Sequence, residues 1–110
     1  MLKIAMSSAA ANLLRAIIGR ARVPRDRILL TEVESVDWHS LTFAGERHVF
    51  HLRVPGPFAK AAVEALCEGL AEAEFSIPGL IVADIAVIGS PVRAYDGAFT
   101  VVIEALTIGE

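Results

Sequence analysis

The chain contains one cysteine, Cys67, among its 110 residues, and this excludes an internal disulfide. A single thiol fits a reducing compartment, so the cytoplasm is the expected location. Asp84, Pro91 and Glu104 interrupt the apolar runs well before the ~20 residues that a membrane span needs. The segments PGPF and IPGL lack the glycine spacing and the lysine of a phosphate-binding loop.

What the chain has in excess is apolar residues. The hydrophobic fraction is 55% and the mean hydropathy is +0.57, against roughly 45–50% apolar residues in ordinary soluble domains. A chain of this length forms one domain, over residues 1–110, with too little interior to bury all of that surface. We therefore expect other copies of the chain to cover part of it, as a homo-oligomer.

Charge is distributed unevenly along the chain, although the net charge is only −3. Residues 1–27, a basic helix and its lead-in, carry +5, and residues 28–110 carry −8. The arginines of the basic end are Arg15, Arg20, Arg22, Arg25 and Arg27. Arginines can bind nucleic-acid phosphates, but no aromatic residues are interleaved here, so docking onto the acidic body of a neighbouring copy is the preferred interpretation.

Periodicity and turn signals predict an α+β fold with the element order α-β-β-α-β-β. The predicted elements are a helix over 8–21, strands over 28–43 and 47–54, a helix from 57 to about 73, and strands from 80 to about 93 and over 99–108. The four strands should form one mostly antiparallel sheet packed by helices. Both faces of the last two strands are apolar, so we expect a helix on one face and either the first helix or a neighbouring subunit on the other.

Glycines suggest where the two hairpins turn. Asp96-Gly97 is a strong hairpin signal between the last two strands. In the first hairpin, Gly45 stands where a turn would need positive φ, which predicts a turn over residues 44–46. That turn places Phe43 opposite His48 and Trp38 opposite Arg53, where an exposed cation–π pair could form.

All three histidines lie in this hairpin, which raises the possibility of a zinc site. Zinc ligands must converge on one point at about 2 Å. In the predicted register His39 and His48 share a face while His51 points away, so no metal site is predicted.

Two further groups could be mistaken for catalytic residues. Cys67 lies on the apolar stripe of the second helix beside Glu64 and Glu68, which would raise the pKa of its thiol, so we interpret it as a packed side chain. Glu64, Glu68 and Glu72 recur every four residues, a spacing typical of a solvated helix face. The sequence predicts no catalytic residue, no cofactor and no enzyme activity.

Three segments in order, LLTEVESVDWHSLTFAGERHVFHLRV, AAVEALCEGLAEAEF and VRAYDGAFTVVIEALTI, resemble the tail terminator proteins of phages and gene transfer agents, also called tail-completion or head–tail joining proteins. The resemblance covers roughly residues 28–110, the ββαββ core. The matching positions are Glu32, Trp38, Ser40, Thr42, Gly45, His48, Leu52 and Val54 in the first hairpin, and Arg93, Asp96, Gly97, Glu104 and Leu106 in the second.

The resemblance implies a non-enzymatic ring, hexameric in the assembled particle, that caps the tail tube and joins it to the head connector. Its partners would be further copies of itself, the tail-tube protein and the head-connector protein, and DNA would pass through it without specific binding. The residues expected to contact subunits or partners are Arg15, Arg20, Arg22, Arg25, Arg27, Trp38, Arg53, Glu64, Glu68 and Glu72. The alternative is a small nucleic-acid-binding or regulatory module that uses the arginine-rich end.

Overall fold

The structure is a computed structural model that describes residues 5–109. Its elements are α1 (Ser8–Ala21), β1 (Leu29–His39), β2 (Ala44–Val54), α2 (Ala59–Cys67), β3 (Leu80–Arg93) and β4 (Phe99–Gly109), with 3₁₀ turns at Arg25–Arg27 and Leu70–Glu72. The strands form one antiparallel sheet in the order β1-β2-β4-β3. The predicted α+β class and element order are confirmed.

Helix α1 begins and ends where its sequence predicts. The Ser7 hydroxyl accepts the N–H of Ala10 at 3.1 Å and so satisfies one of the free donors at the helix start. The helix ends at Arg22, which adopts the left-handed conformation (φ 57°), and Pro24 follows. The buried stripe of α1 consists of Ala10, Leu13, Leu14, Ile17 and Ile18.

Both helices pack on the same face of the sheet, here called the inner face. Phe50, Leu52, Val101 and Ile103 point inward from the two central strands and are buried against α1 and α2. The first helix therefore does not cover the opposite face, which is called the open face below. Of the two coverings expected from the sequence, the first helix is excluded, and a neighbouring molecule stays a prediction.

The first hairpin turns earlier than predicted. The turn is formed by residues 40–43: the N–H of Ser40 donates to the Phe43 carbonyl at 2.9 Å, and the N–H of Phe43 donates to the Ser40 hydroxyl at 3.1 Å. His48 consequently lies opposite Ser35. The predicted turn over residues 44–46 and the Phe43–His48 register are wrong.

The same shift removes the predicted Trp38–Arg53 pair. Trp38 lies opposite Gly45, at the turn end of the hairpin, and Arg53 lies opposite Leu29, at the other end. The arginine–aromatic stacks in the described part of the chain are Arg27 over Phe58, at 5.7 Å, and Arg93 over Phe99, at 5.8 Å.

Gly45 is required by close packing between strands. A Cβ at this position would lie 1.9 Å from the carbonyl oxygen of Thr107 in β4, and Gly45 is not among the residues with positive φ. The glycine in this hairpin therefore marks the approach of a strand some 60 residues away, a known reason for glycine inside a strand.

Helix α2 is shorter than the predicted helix, because Gly69 adopts φ 64° and the chain leaves the helix after Cys67. Glu64 remains on α2, Glu68 is its C-cap, and Glu72 lies in the following 3₁₀ turn. All three are exposed. They do not form one continuous helical row.

Alanine substitutions at two glycines test this account of Gly45. We expect Gly45→Ala to lower the free energy of unfolding by about 1–3 kcal/mol or more, because the added methyl group collides with β4. The control is Gly19→Ala, whose added Cβ has nothing within 4 Å and lies inside α1, so it should raise stability by about 0.5–1 kcal/mol. Urea unfolding measures both, and equal effects of the two substitutions would contradict the account.

Candidate interaction surfaces

One histidine is buried at the centre of the sheet. His48 is fully buried on the inner face, stacked on Phe50 with ring centroids 5.9 Å apart. Its Nδ1 lies 2.7 Å from the Ser35 hydroxyl of β1, and its Nε2 lies 2.8 Å from the Thr107 hydroxyl of β4. The imidazole thus connects three strands, and both ring nitrogens are engaged.

The two hydroxyls satisfy this imidazole in either neutral tautomer, because each hydroxyl can donate to a bare ring nitrogen or accept from a ring N–H. Burial lowers the pKa of His48 below its ordinary value of 6.5, and the nearby Glu46 carboxylate only partly opposes that shift. The ring is a neutral structural group.

The other candidate ligands are dispersed. His39 is exposed at the end of β1, and the Nε2 of His51 lies 3.1 Å from a Glu32 carboxylate oxygen on the open face. Within residues 5–109 no three His, Cys, Asp or Glu side chains are grouped so that they could hold a metal ion. Burial raises the pKa of the Cys67 thiol, which disfavours the nucleophilic thiolate.

Alternating apolar and charged side chains cover the open face. Val36, Ile81, Ile88 and Val92 are about half exposed or more. A register shift near Ala83 contributes to the exposure of Ile81. It places Ile81 opposite Ile108 on the open face, while Ile85 points into the core.

Ion pairs between strands separate these apolar side chains. Arg47 lies 2.9 Å from Glu104, and Arg53 pairs with Asp96 of the β3–β4 turn. The hydrogen bond from Arg53, with a second from the N–H of Ala98, holds the pKa of the Asp96 carboxyl below its usual value. The open face therefore combines exposed apolar side chains with ion pairs that keep it solvated.

The β1–β2 turn exposes large apolar side chains at one end of the sheet. Leu41 is fully exposed and Phe43 is 55% exposed. Asp37 and Glu46 form the third cross-strand pair from this turn, after His39–Ala44 and Trp38–Gly45. We call residues 37–46 the hairpin tip.

An apolar groove lies at the opposite end of the sheet. It has a volume of about 320 Å³, and one acidic and one basic residue line it together with apolar residues: Asp26, Arg27, Val54, Pro55, Gly56, Pro57, Phe58 and Ala62. Phe58 is 64% exposed, and the Arg27 guanidinium lies above its ring. Most of the lining is apolar, and we call this site the basic groove after Arg27.

Comparisons with known proteins identify a similar fold. No family model matches the chain, and neither does any curated protein. A solved structure described as the virion of a native gene transfer agent (GTA) particle contains a chain with a TM-score of 0.69 to this one, covering 94% of this chain and 100% of that chain. The two chains share a fold. Their sequences are 17% identical.

The predicted contact residues do not form one surface in the structure. Arg15 is exposed on α1 beside Asn12, and Arg20 donates to the Glu68 carbonyl, which joins α1 to the end of α2. The remaining predicted contacts among the charged residues are exposed: Arg22, Arg25, Arg27, Glu64, Glu68 and Glu72. Trp38 and Arg53 are partly buried and lie at opposite ends of the sheet. Within the hairpin tip only Trp38 was among the predicted contacts; Leu41, Phe43 and Phe58 were not, and the signal for them was an aromatic or aliphatic side chain beside a turn.

Replacing His48 by Leu should change stability and its pH dependence together. Removing the imidazole leaves the Ser35 and Thr107 hydroxyls without their partner, so we expect His48→Leu to lower the free energy of unfolding by about 1–3 kcal/mol at pH 8. In the wild type the folded-state pKa of His48 lies below 6.5. The contribution of His48 to the free energy of unfolding is therefore fully present above about pH 6.5 and is lost as the pH falls towards the folded-state pKa.

Urea unfolding between pH 5 and 8 measures both effects. His48→Leu should show a smaller fall on acidification, and His39→Leu, at an exposed position, should behave like the wild type. An undiminished fall in His48→Leu would contradict the assignment of a neutral buried imidazole.

Proposed function

We propose that the chain is a structural component of a gene transfer agent or a related phage-like particle. The observation that carries this proposal is the correspondence of fold, over 94% of this chain and 100% of the other, with a chain of a GTA virion. Within such a particle we assign it the role of a tail terminator, which forms a ring, caps the tail tube and joins it to the head connector. The similarity of three sequence segments to that family supports this narrower assignment.

The distribution of buried and exposed groups supports a role in assembly. A one-sided core leaves the open face and both ends of the sheet available for contacts with other molecules. In the described residues the imidazole at the centre of the core is hydrogen-bonded to two hydroxyls, and burial raises the pKa of the Cys67 thiol. Packing accounts for both groups.

Charge supports the proposed passage of DNA through the ring. Glu64, Glu68 and Glu72 are exposed on the helical side of the molecule. The same side carries the exposed Arg15 and Arg20 of α1, so the carboxylates would repel the DNA backbone only if α2 and the turn after it, rather than α1, face the channel of a hexameric ring. Assembly would take place in the cytoplasm, where the single cysteine would stay reduced. Within residues 5–109 no helix is long and apolar enough to span a membrane.

Growth of tail tubes in the presence of the chain tests this function. Tubes assembled from the tail-tube protein of the same particle should stop elongating when the chain is added. Electron microscopy should then show a ring of additional density at one end of each tube. Unchanged tube lengths and bare tube ends would contradict the proposal.

DNA binding provides a control for the alternative function. A nucleic-acid-binding module would bind duplex DNA with strong salt dependence, and the Arg20→Ala, Arg22→Ala, Arg25→Ala triple variant would bind more weakly. The proposed assembly protein should bind DNA weakly with or without these arginines, and the triple variant should still be folded. Tight, salt-sensitive DNA binding together with bare tubes would favour the alternative.

A further inference from the structure

We propose that the hairpin tip of one copy docks into the basic groove of the next copy, so that the chain associates head to tail. This inference rests on the proposed function, since it describes how copies of an assembly protein would join. The occupant of the groove is the Leu41 and Phe43 side chains of a second copy, with the Asp37 and Glu46 carboxylates three cross-strand pairs further along the same hairpin.

The hairpin tip has the composition of an unsatisfied contact surface. Leu41 and Phe43 project from a turn held by two hydrogen bonds of Ser40, so ordering them on binding costs little backbone entropy. Asp37 and Glu46 lie directly opposite each other behind the turn. Like charges in that arrangement are unfavourable in an isolated hairpin, and a basic partner would relieve the repulsion.

The basic groove complements the tip in both shape and charge. Its walls are prolines, Val54, Ala62 and the exposed ring of Phe58, which provide apolar surface for a leucine and a phenylalanine. Arg27 and Asp26 both line the groove, and Arg25 precedes them in the chain. Lys60, Arg93 and Asp96 line the adjoining depression, and Asp96 is already paired with Arg53, so the surroundings of the groove carry an excess of positive charge.

The positions of tip and groove dictate a heterologous contact. They lie at opposite ends of β2 (Ala44–Val54), about 35 Å apart at the rise of an antiparallel strand. They cannot meet within one molecule, and a contact between a tip and a different patch generates a ring or an open filament. Two tips facing each other would instead bring four carboxylates together, which disfavours a symmetric tip-to-tip dimer.

Mixing two complementary variants tests the contact. Leu41→Asp blocks the tip and leaves the groove intact; Phe58→Asp blocks the groove and leaves the tip intact. Both side chains are exposed, so both variants should fold, which thermal unfolding followed by circular dichroism checks. In sedimentation velocity, at a concentration where the wild type associates, each variant alone should be monomeric, and an equimolar mixture should contain a dimer that grows no further.

Charge reversal provides an independent test in the same assay. Asp37→Arg and Arg27→Asp should each weaken association about tenfold or more, and a chain carrying both changes should recover much of the loss. Higher salt should weaken association of the wild type.

The outcomes separate this inference from the proposed function. Association of both aspartate variants like the wild type, or a mixture that stays monomeric, would overturn the tip-to-groove contact. So would a wild type that is monomeric at every concentration. In each of these cases capping of tail tubes by the wild type would still support the tail terminator role, whereas bare tubes with a complementing mixture would overturn that role and leave the contact standing.

Discussion

The burial of a single face of the sheet is the constraint on which the remaining structure depends. The two central strands present Phe50, Leu52 and Ile103 to a core that α1 and α2 share, and burying each such side chain contributes about 1.5–3 kcal/mol. Because both helices cover the same face, the opposite face and the two ends of the sheet remain exposed. A short, strongly apolar chain thus has a well-packed core and still has apolar surface for binding.

His48 fits this arrangement as the polar centre of the core. Its ring joins β1 and β4 to β2 through the Ser35 and Thr107 hydroxyls, and it stays neutral because burial disfavours the charged form. Such a satisfied network fixes how the strands are aligned, since a slip by one residue would turn the imidazole towards the open face. The exposed tip is thereby held on a hairpin of defined register.

Elements with local signals could be predicted from the sequence, and elements determined by distant contacts could not. Ser7 and Asp96-Gly97 act within a few residues, so α1 and the second hairpin have nearly the predicted bounds. Gly45 misled the prediction of the first turn because its reason is the approach of β4, which no local pattern contains. The side of the sheet on which α1 packs, and hence the open face, likewise depends on tertiary packing.

The central claim is that surfaces left exposed by the one-sided core are contact sites between copies. Hydrogen exchange measured by mass spectrometry on dilute and concentrated protein tests it most directly. On association we expect added protection in the peptides that cover the hairpin tip and residues 56–62 beside the basic groove, with no change in the central strands. Association that adds no protection at either site would contradict the account.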